Sequence, residues 1–191
     1  MKLSNQNNLK LVRGARLLQA IEEDSTYDQL YHNIQTDPVL SQTKKRQHAT
    51  GEVAITSVVY LPYTNAGILQ VEAQARSNSH PYQPTIQFLN VKFEPNDTGT
   101  NVSFMGKDGA THYVQPIVLG QNNVKVRCTC LDYFYRFAVW NFNDNSLYGP
   151  KPPLYRKTTD RPPVNPNQVP GLCKHIIRVI GDLQNVGIVT R

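Results

Sequence analysis

The three cysteines of this 191-residue chain fall in two short pieces, Cys128-Thr129-Cys130 and Cys173-Lys174-His175, and that placement constrains the fold more than any other feature. Read together, the pieces give CxC followed by CxH. Three thiolates and one imidazole form a complete tetrahedral donor set for Zn(2+), soft sulfur and borderline nitrogen both suiting that metal. If Cys128, Cys130, Cys173 and His175 share one ion, the 42 residues from 131 to 172 must leave a point and return to it. Closure entropy grows only logarithmically with loop length, and a structural zinc site contributes on the order of 10 kcal/mol to folding. With all four positions filled by protein, no coordination site is left for water, so the metal is expected to be structural and the chain not to be an enzyme.

Local geometry adds conditions. In a strand, residues i and i+2 face the same side, so Cys128 and Cys130 can both reach one ion near a strand end. In a helix, residues two apart diverge by about 200°; Cys173 and His175 must therefore bind from the turn that enters a helix, and Pro170-Gly171 permits an irregular approach. Three thiolates exceed a divalent ion by one negative charge, which Lys174, Arg127 and the positive start of the final helix could offset. The same ligands could hold an iron-sulfur cluster, although nothing in the sequence supplies a redox partner. An odd number of thiols and the strained ring of a CxC bridge disfavour disulfides; unliganded buried thiols are the remaining alternative. A Cys173 nucleophile with His175 as base lacks any accompanying carboxylate pair, oxyanion motif or phosphate loop.

The rest of the chain predicts an α+β fold: a mainly antiparallel β domain, sandwich or partly closed barrel, with an N-terminal helical arm and a metal-bound C-terminal helix. Leu11, Ala15, Leu18 and Ile21 give residues 8 to 24 a helical stripe, and Tyr27, Leu30, Tyr31 and Ile34 give a second one. Ser25 with Asp28 reads as its start, and Asp37-Pro38 as its stop. Residues 1 to 50 are thus expected to form a helical hairpin packed on the main body, or an arm docked on a neighbouring subunit. The β domain is expected over 51 to 191. Leu69, Val71, Ala73 and Ala75 alternate with Gln70, Glu72, Gln74 and Arg76, a half-buried strand. Val53 to Leu61 precedes it, and further strands are expected over 85 to 93, with a bulge at Leu89-Asn90, and over 101 to 104, 112 to 118, 124 to 130 and 134 to 140. Lys107-Asp108-Gly109 reads as turn chemistry.

Seven of the thirteen prolines lie between Pro150 and Pro170. They exclude helix and central strand from the loop over 143 to 172, but Tyr148, Leu154 and Tyr155 predict that it packs along the surface. After it, Ile176, Ile177, Ile180 and Leu183 predict a helix from Lys174 to Gln184, with Gly187 beyond its end.

Charge bears on partners. Residues 111 to 191 carry ten Lys/Arg against four Asp/Glu, so the excess of the +6 chain lies in its last third. Such a face could meet nucleic acid, but only Lys44, Lys45 and Arg46 form a run, and ordinary solvated surface is the favoured reading. Tyr133, Phe134, Tyr135, Phe137, Trp140 and Phe142 near Arg136 could stack bases, with core packing favoured. His32, His48, His80 and His112 are scattered and read as surface or internally satisfied residues. Asp132 reads as an orienting partner of the metal knuckle or as the start of a turn. Without a stretch of ~20 apolar residues or a secretory signal, the chain reads as soluble and non-exported, with no membrane partner.

The CxC, variable insertion and CxH of Cys128, Cys130, Cys173 and His175 resemble the SWIM-type zinc finger, here with a longer insertion than usual. The wider string from Cys128 to Phe137, continued by Arg161-Pro162-Pro163-Val164-Asn165-Pro166 and Pro170-Gly171-Leu172-Cys173-Lys174-His175, is similar to virion proteins of tailed bacteriophages over roughly the C-terminal third. This resemblance implies a zinc-stapled structural or assembly component of the virion, at neck, tail or baseplate, assembled in the host cytoplasm. Its implied partners are other virion structural proteins in a symmetric multi-copy assembly. A SWIM-like nucleic-acid-binding protein is the alternative.

Overall fold

The computed structural model describes residues 24–42, 49–77, 79–153, 160 and 162–191. In chain order the elements are α1 (Tyr27–Thr36), β1 (Ala54–Tyr63), β2 (Ile68–Ser77), β3 (His80–Tyr82), β4 (Pro84–Phe88), β5 (Phe93–Glu94), β6 (Val102–Met105), β7 (Thr111–Val114), β8 (Ile117–Val118), β9 (Val124–Cys128), α2 (Leu131–Arg136), α3 (Ala138–Asn143), α4 (Lys174–Asn185) and β10 (Val189–Thr190). This is the expected α+β class with mainly antiparallel sheets. The stripe over 8 to 23, the basic run at 44 to 46, and Leu154 and Tyr155 lie outside the described residues.

The alternation of Leu69, Val71, Ala73 and Ala75 makes β2 the centre of the main sheet, with all four side chains buried. β1 pairs with it antiparallel across a 3-10 turn, Thr64–Ala66, and Gly67, whose positive φ of 62° closes the turn. On its other side β2 pairs with β3 and β4, and β4 pairs with β9, from Pro84 opposite Cys128 to Phe88 opposite Val124. The two edges of this sheet differ. Along β9, Val126 is bridged in parallel to Leu147, with Val126 N donating to Ser146 O and Tyr148 N to Val126 O. β1 is an outer strand, and its Pro62, which has no N–H to donate, is tolerated there.

Several expectations need correction. The run 85 to 93 is broken rather than bulged: Asn90 takes a positive φ of 57°, the chain leaves the main sheet, and Phe93 pairs with Val114 of β7 in a second sheet with order β5-β7-β6. Asn122 holds this break by donating to the carbonyls of Leu89 and Asn90. The run 112 to 118 also divides, and β8 pairs in parallel with β10. The expected strand over 134 to 140 is helical, as α2 and α3. Aromatic alternation there also satisfies a four-residue spacing, Tyr133, Phe137 and Asn141, and that face is the buried one. The α1 cap lies one residue later than Ser25: Gln29 N donates to Thr26 Oγ1 while Thr26 N donates to Gln29 Oε1, a reciprocal capping box.

α1 buries Tyr27, Leu30 and Ile34, and α4 buries Ile176, Val179, Ile180 and Leu183, in one core with Leu69, Val71, Ile86, Phe88, Val124 and Val126 of the sheet. Each buried aliphatic side chain contributes about 2 kcal/mol as an upper bound, so the apolar face of α4 alone anchors the C-terminal region against β4 and β9. Gly187, at φ 79°, then turns the chain into β10.

Where it is described, the proline-rich stretch is mostly exposed, with Pro152 and Asn165 buried, and side-chain amides tie it to the body. Asn165 Nδ2 donates to Arg136 O and Val169 O, Asn33 Nδ2 to Pro170 O, and Asn167 Nδ2 to Asp37 Oδ2. At the loop's near end, Arg127 donates to the carbonyls of Tyr148 and Pro150.

Burial by itself would raise the Asp37 carboxyl, but hydrogen bonds from Asn167 and from the Leu40 and Val39 amides hold it below the usual carboxylate range. A depressed folded pKa contributes stability that is present above the unfolded value of about 3.9 and is lost as pH falls through the folded one. Asp37→Asn should therefore destabilise by about 1–2 kcal/mol at pH 7. Denaturant unfolding of both proteins should show this difference narrowing below pH 4.

Candidate metal centre

Three element ends meet at the cysteines. Cys128 is the last residue of β9, Cys130 is the N-cap of α2, and Cys173 is the N-cap of α4, with His175 in that helix's first turn. The expected approach from a strand end and a helix entrance is thus the observed one, except that Cys130 has already left the strand. All four side chains are buried, and one donor atom from each lies within 4.8 Å of all the others. His175 Nδ1 is 3.8 Å from Cys128 Sγ and 3.9 Å from Cys173 Sγ.

Hydrogen bonds fix each half of the cluster. Tyr133 N donates to Cys130 Sγ at 3.3 Å, and Tyr133 Oη donates to Val126 O at 2.7 Å, so one residue ties α2 to β9 across the CxC turn. Gln83 N donates to Thr129 Oγ1 at 2.9 Å, holding the middle of that turn to the β3–β4 link. On the other half, Asn141 and Gly171 exchange two bonds: Gly171 N donates to Asn141 Oδ1 at 2.9 Å and Asn141 Nδ2 to Gly171 O at 3.1 Å. Gly171 is required by space, since a Cβ there would stand 2.5 Å from Ile34 Cγ2 and 2.7 Å from Phe137 Cε1. The Tyr82 ring lies over His175, with centroids 4.4 Å apart.

The donor spacing matches one small ion. Metal–sulfur bonds of about 2.3 Å and metal–nitrogen bonds of about 2.05 Å at tetrahedral angles put sulfurs about 3.8 Å apart and sulfur about 3.6 Å from nitrogen. The two sulfur–nitrogen distances above exceed that value by a few tenths of an ångström, and every donor pair lies within 4.8 Å. The cysteines are free thiols, not disulfides. His175 Nε2 is buried without a hydrogen-bond partner, so the sulfur cluster at Nδ1 is where this ring can recover the cost of its burial.

Electrostatics agree. Burial pushes the thiols of Cys128 and Cys173 well above the ordinary cysteine range. Cys130 is pulled far below it by hydrogen bonds from Cys128 and Cys173. Burial thus opposes ionisation of two of the three sulfurs, and a divalent cation in their midst would favour all three thiolates at once. Arg127 and Lys174 are not directed at the cluster as expected: Arg127 clamps the 148–150 turn, and Lys174 Nζ lies 3.6 Å from Glu52 Oε2. Asp132 is paired with Arg136 at 3.2 Å in α2.

Of the other residues singled out in the sequence, His32 and His80 are exposed and His112 pairs with Asp108 at 2.9 Å, away from the sulfurs; His48 lies outside the described residues. The aromatic series divides, with Tyr133 and Phe137 in the core and Tyr135 and Phe142 exposed. Sequence reasoning missed Tyr82, Asn141 and Thr129 as supports, and only the Pro170-Gly171 pair signalled the tight approach. A cleft of about 720 Å³ lined by Cys130, Cys173, His175, Tyr82 and Tyr135 adjoins the cluster. No described helix is long and apolar enough to cross a membrane. Comparison with family models, with curated proteins and with solved structures yields no match. The functional assignment therefore rests on the four-residue centre and its setting.

Gly171→Ala should force Ile34 and Phe137 aside and shift Cys173, costing about 2–3 kcal/mol in denaturant unfolding and weakening metal retention in a chelator competition.

Proposed function

We propose that Cys128, Cys130, Cys173 and His175 bind one zinc ion as a structural staple, and that the chain is an assembly component of a tailed-phage virion, at neck, tail or baseplate. On this reading it acts through protein–protein contacts with other virion proteins. The observation that carries the metal part is the convergence of four buried donors within 4.8 Å from two pieces of chain separated by 42 residues. Zinc supplies a fixed tetrahedral charge there, and the four side chains leave it no open position for substrate or water. Zinc is favoured over an iron-sulfur cluster because a cluster occupies space between its ligands and would hold them farther apart. The virion part is supported by the sequence resemblance that begins at the same cysteines, and by a metal centre whose surroundings serve to fasten element ends.

Elemental analysis of the purified chain should give one zinc per molecule, with Cys128→Ser and Cys173→Ser each losing the metal and lowering the melting temperature by roughly 10 °C or more. Stoichiometric iron with visible absorption would replace zinc by a cluster. Mass spectrometry of purified particles should find the chain in fixed copy number, and its absence would end the virion reading. The SWIM-like alternative requires binding to single- or double-stranded DNA that weakens log-linearly as salt rises; failure to shift either at low salt removes it.

A further inference from the structure

We infer that the ring of Tyr82 gates the metal centre, so that an ion reaches and leaves Cys128, Cys130, Cys173 and His175 through the adjoining cleft when that ring swings aside. This rests on the proposed zinc site and adds how its loading is controlled.

Packed core closes the cluster toward the body of the domain. Tyr133, 1% exposed, lies against the sulfurs, its amide on Cys130 Sγ and its hydroxyl on Val126 O. Ile34 and Phe137, both fully buried, press on Gly171 so closely that a Cβ there would stand 2.5 and 2.7 Å from them. From Cys173 onward, α4 turns Ile176, Val179 and Ile180 into the same core. The cleft of about 720 Å³ lies on another side. Cys130, Cys173 and His175 line it, and every residue around it is a described one. Yet these three are at most 3% exposed, so the cleft does not reach the donor atoms as it stands.

The Tyr82 ring supplies the cover. Its centroid is 4.4 Å from that of His175, with 34° between the planes, and it lines the same cleft while only half-buried itself. Its backbone and its ring are held differently. Tyr82 pairs with Ala75 of β2, and the next residue, Gln83, donates its N–H to Thr129 Oγ1 at 2.9 Å, so the main chain is tied both to the sheet and to the CxC turn. The ring turns about side-chain torsions alone, and leaving His175 breaks one aromatic contact rather than a ladder of hydrogen bonds. Such rotations run far faster than the opening of α4, whose apolar face would have to leave the core. One ring on a fixed backbone therefore opens the site without unfolding the staple.

A gate and a support leave different signatures. Removing a support speeds release alone and lowers affinity by the same factor. Removing a gate speeds entry and exit equally and leaves affinity where it was. Zinc release from the loaded chain to an excess of chelating dye should be about three- to tenfold faster in Tyr82→Ala, the factor that one aromatic contact is worth. Chelator competition should give this variant the dissociation constant of the unsubstituted chain, so entry accelerates equally. Tyr82→Phe keeps the ring and should release zinc at the original rate. Tyr82→Leu keeps apolar volume on β3 and should release as fast as Tyr82→Ala, which covers the case in which alanine costs stability. Release indifferent to both Tyr82→Ala and Tyr82→Leu, faster release matched by an equal loss of affinity, or release that follows the global unfolding rate as denaturant is added would overturn the inference. A purified chain that carries no zinc removes the centre itself, whereas one zinc per chain with release independent of Tyr82 removes the gate alone.

Discussion

Three sulfurs and one imidazole, all withdrawn from water, must be reconciled in one small volume, and most of the C-terminal architecture follows from how that is done. Buried thiols without a cation resist ionisation, as Cys128 and Cys173 do. The chain nevertheless draws them together and uses separate hydrogen bonds to keep them there: Tyr133 to Val126, Gln83 to Thr129, and the Asn141–Gly171 exchange. Each of these supports fixes an element end rather than the ligand alone. The centre therefore fastens β9, α2 and α4 to one another at their termini, where helix and strand backbones are least able to hold themselves.

What the sequence disclosed depended on whether a signal was local and had a single meaning. The CxC and CxH pieces could be read because sulfur and imidazole at those spacings have few other uses, and the alternation of Leu69 to Ala75 because no helix buries every second residue. The Lys174 helix was legible from Ile176, Ile180 and Leu183. The aromatic series was not, since Tyr133 and Phe137 satisfy periods of both two and four, and the local cap that starts the helix is a cysteine rather than the usual Ser, Thr, Asp or Asn. The break at Asn90 resembled a bulge because a left-handed asparagine and a bulged one look alike until the partner strands are known. Asn141 carried no signal at all: its role depends on Gly171, thirty residues later.

Load is distributed unevenly across the main sheet. The metal centre sits at the β9 side, where the chain also covers the edge with Ser146 to Tyr148. Three strand spacings away, roughly 14 Å, β1 carries no charged side chain, and Lys107 N donates to its Tyr60 carbonyl.

The 42-residue excursion between the two half-sites is tied back at several points, among them Tyr133 to Val126, Arg127 at the 148–150 turn, and Asn165 and Asn141 at its return. Each doubling of a flexible loop adds only about 0.6 kcal/mol of closure cost, so added length by itself is a weak penalty on the site. The insertion is thus the segment in which descendants of this sequence can gain or shed residues while the ligands keep their positions, and where a lineage can acquire new contacts without rebuilding its centre.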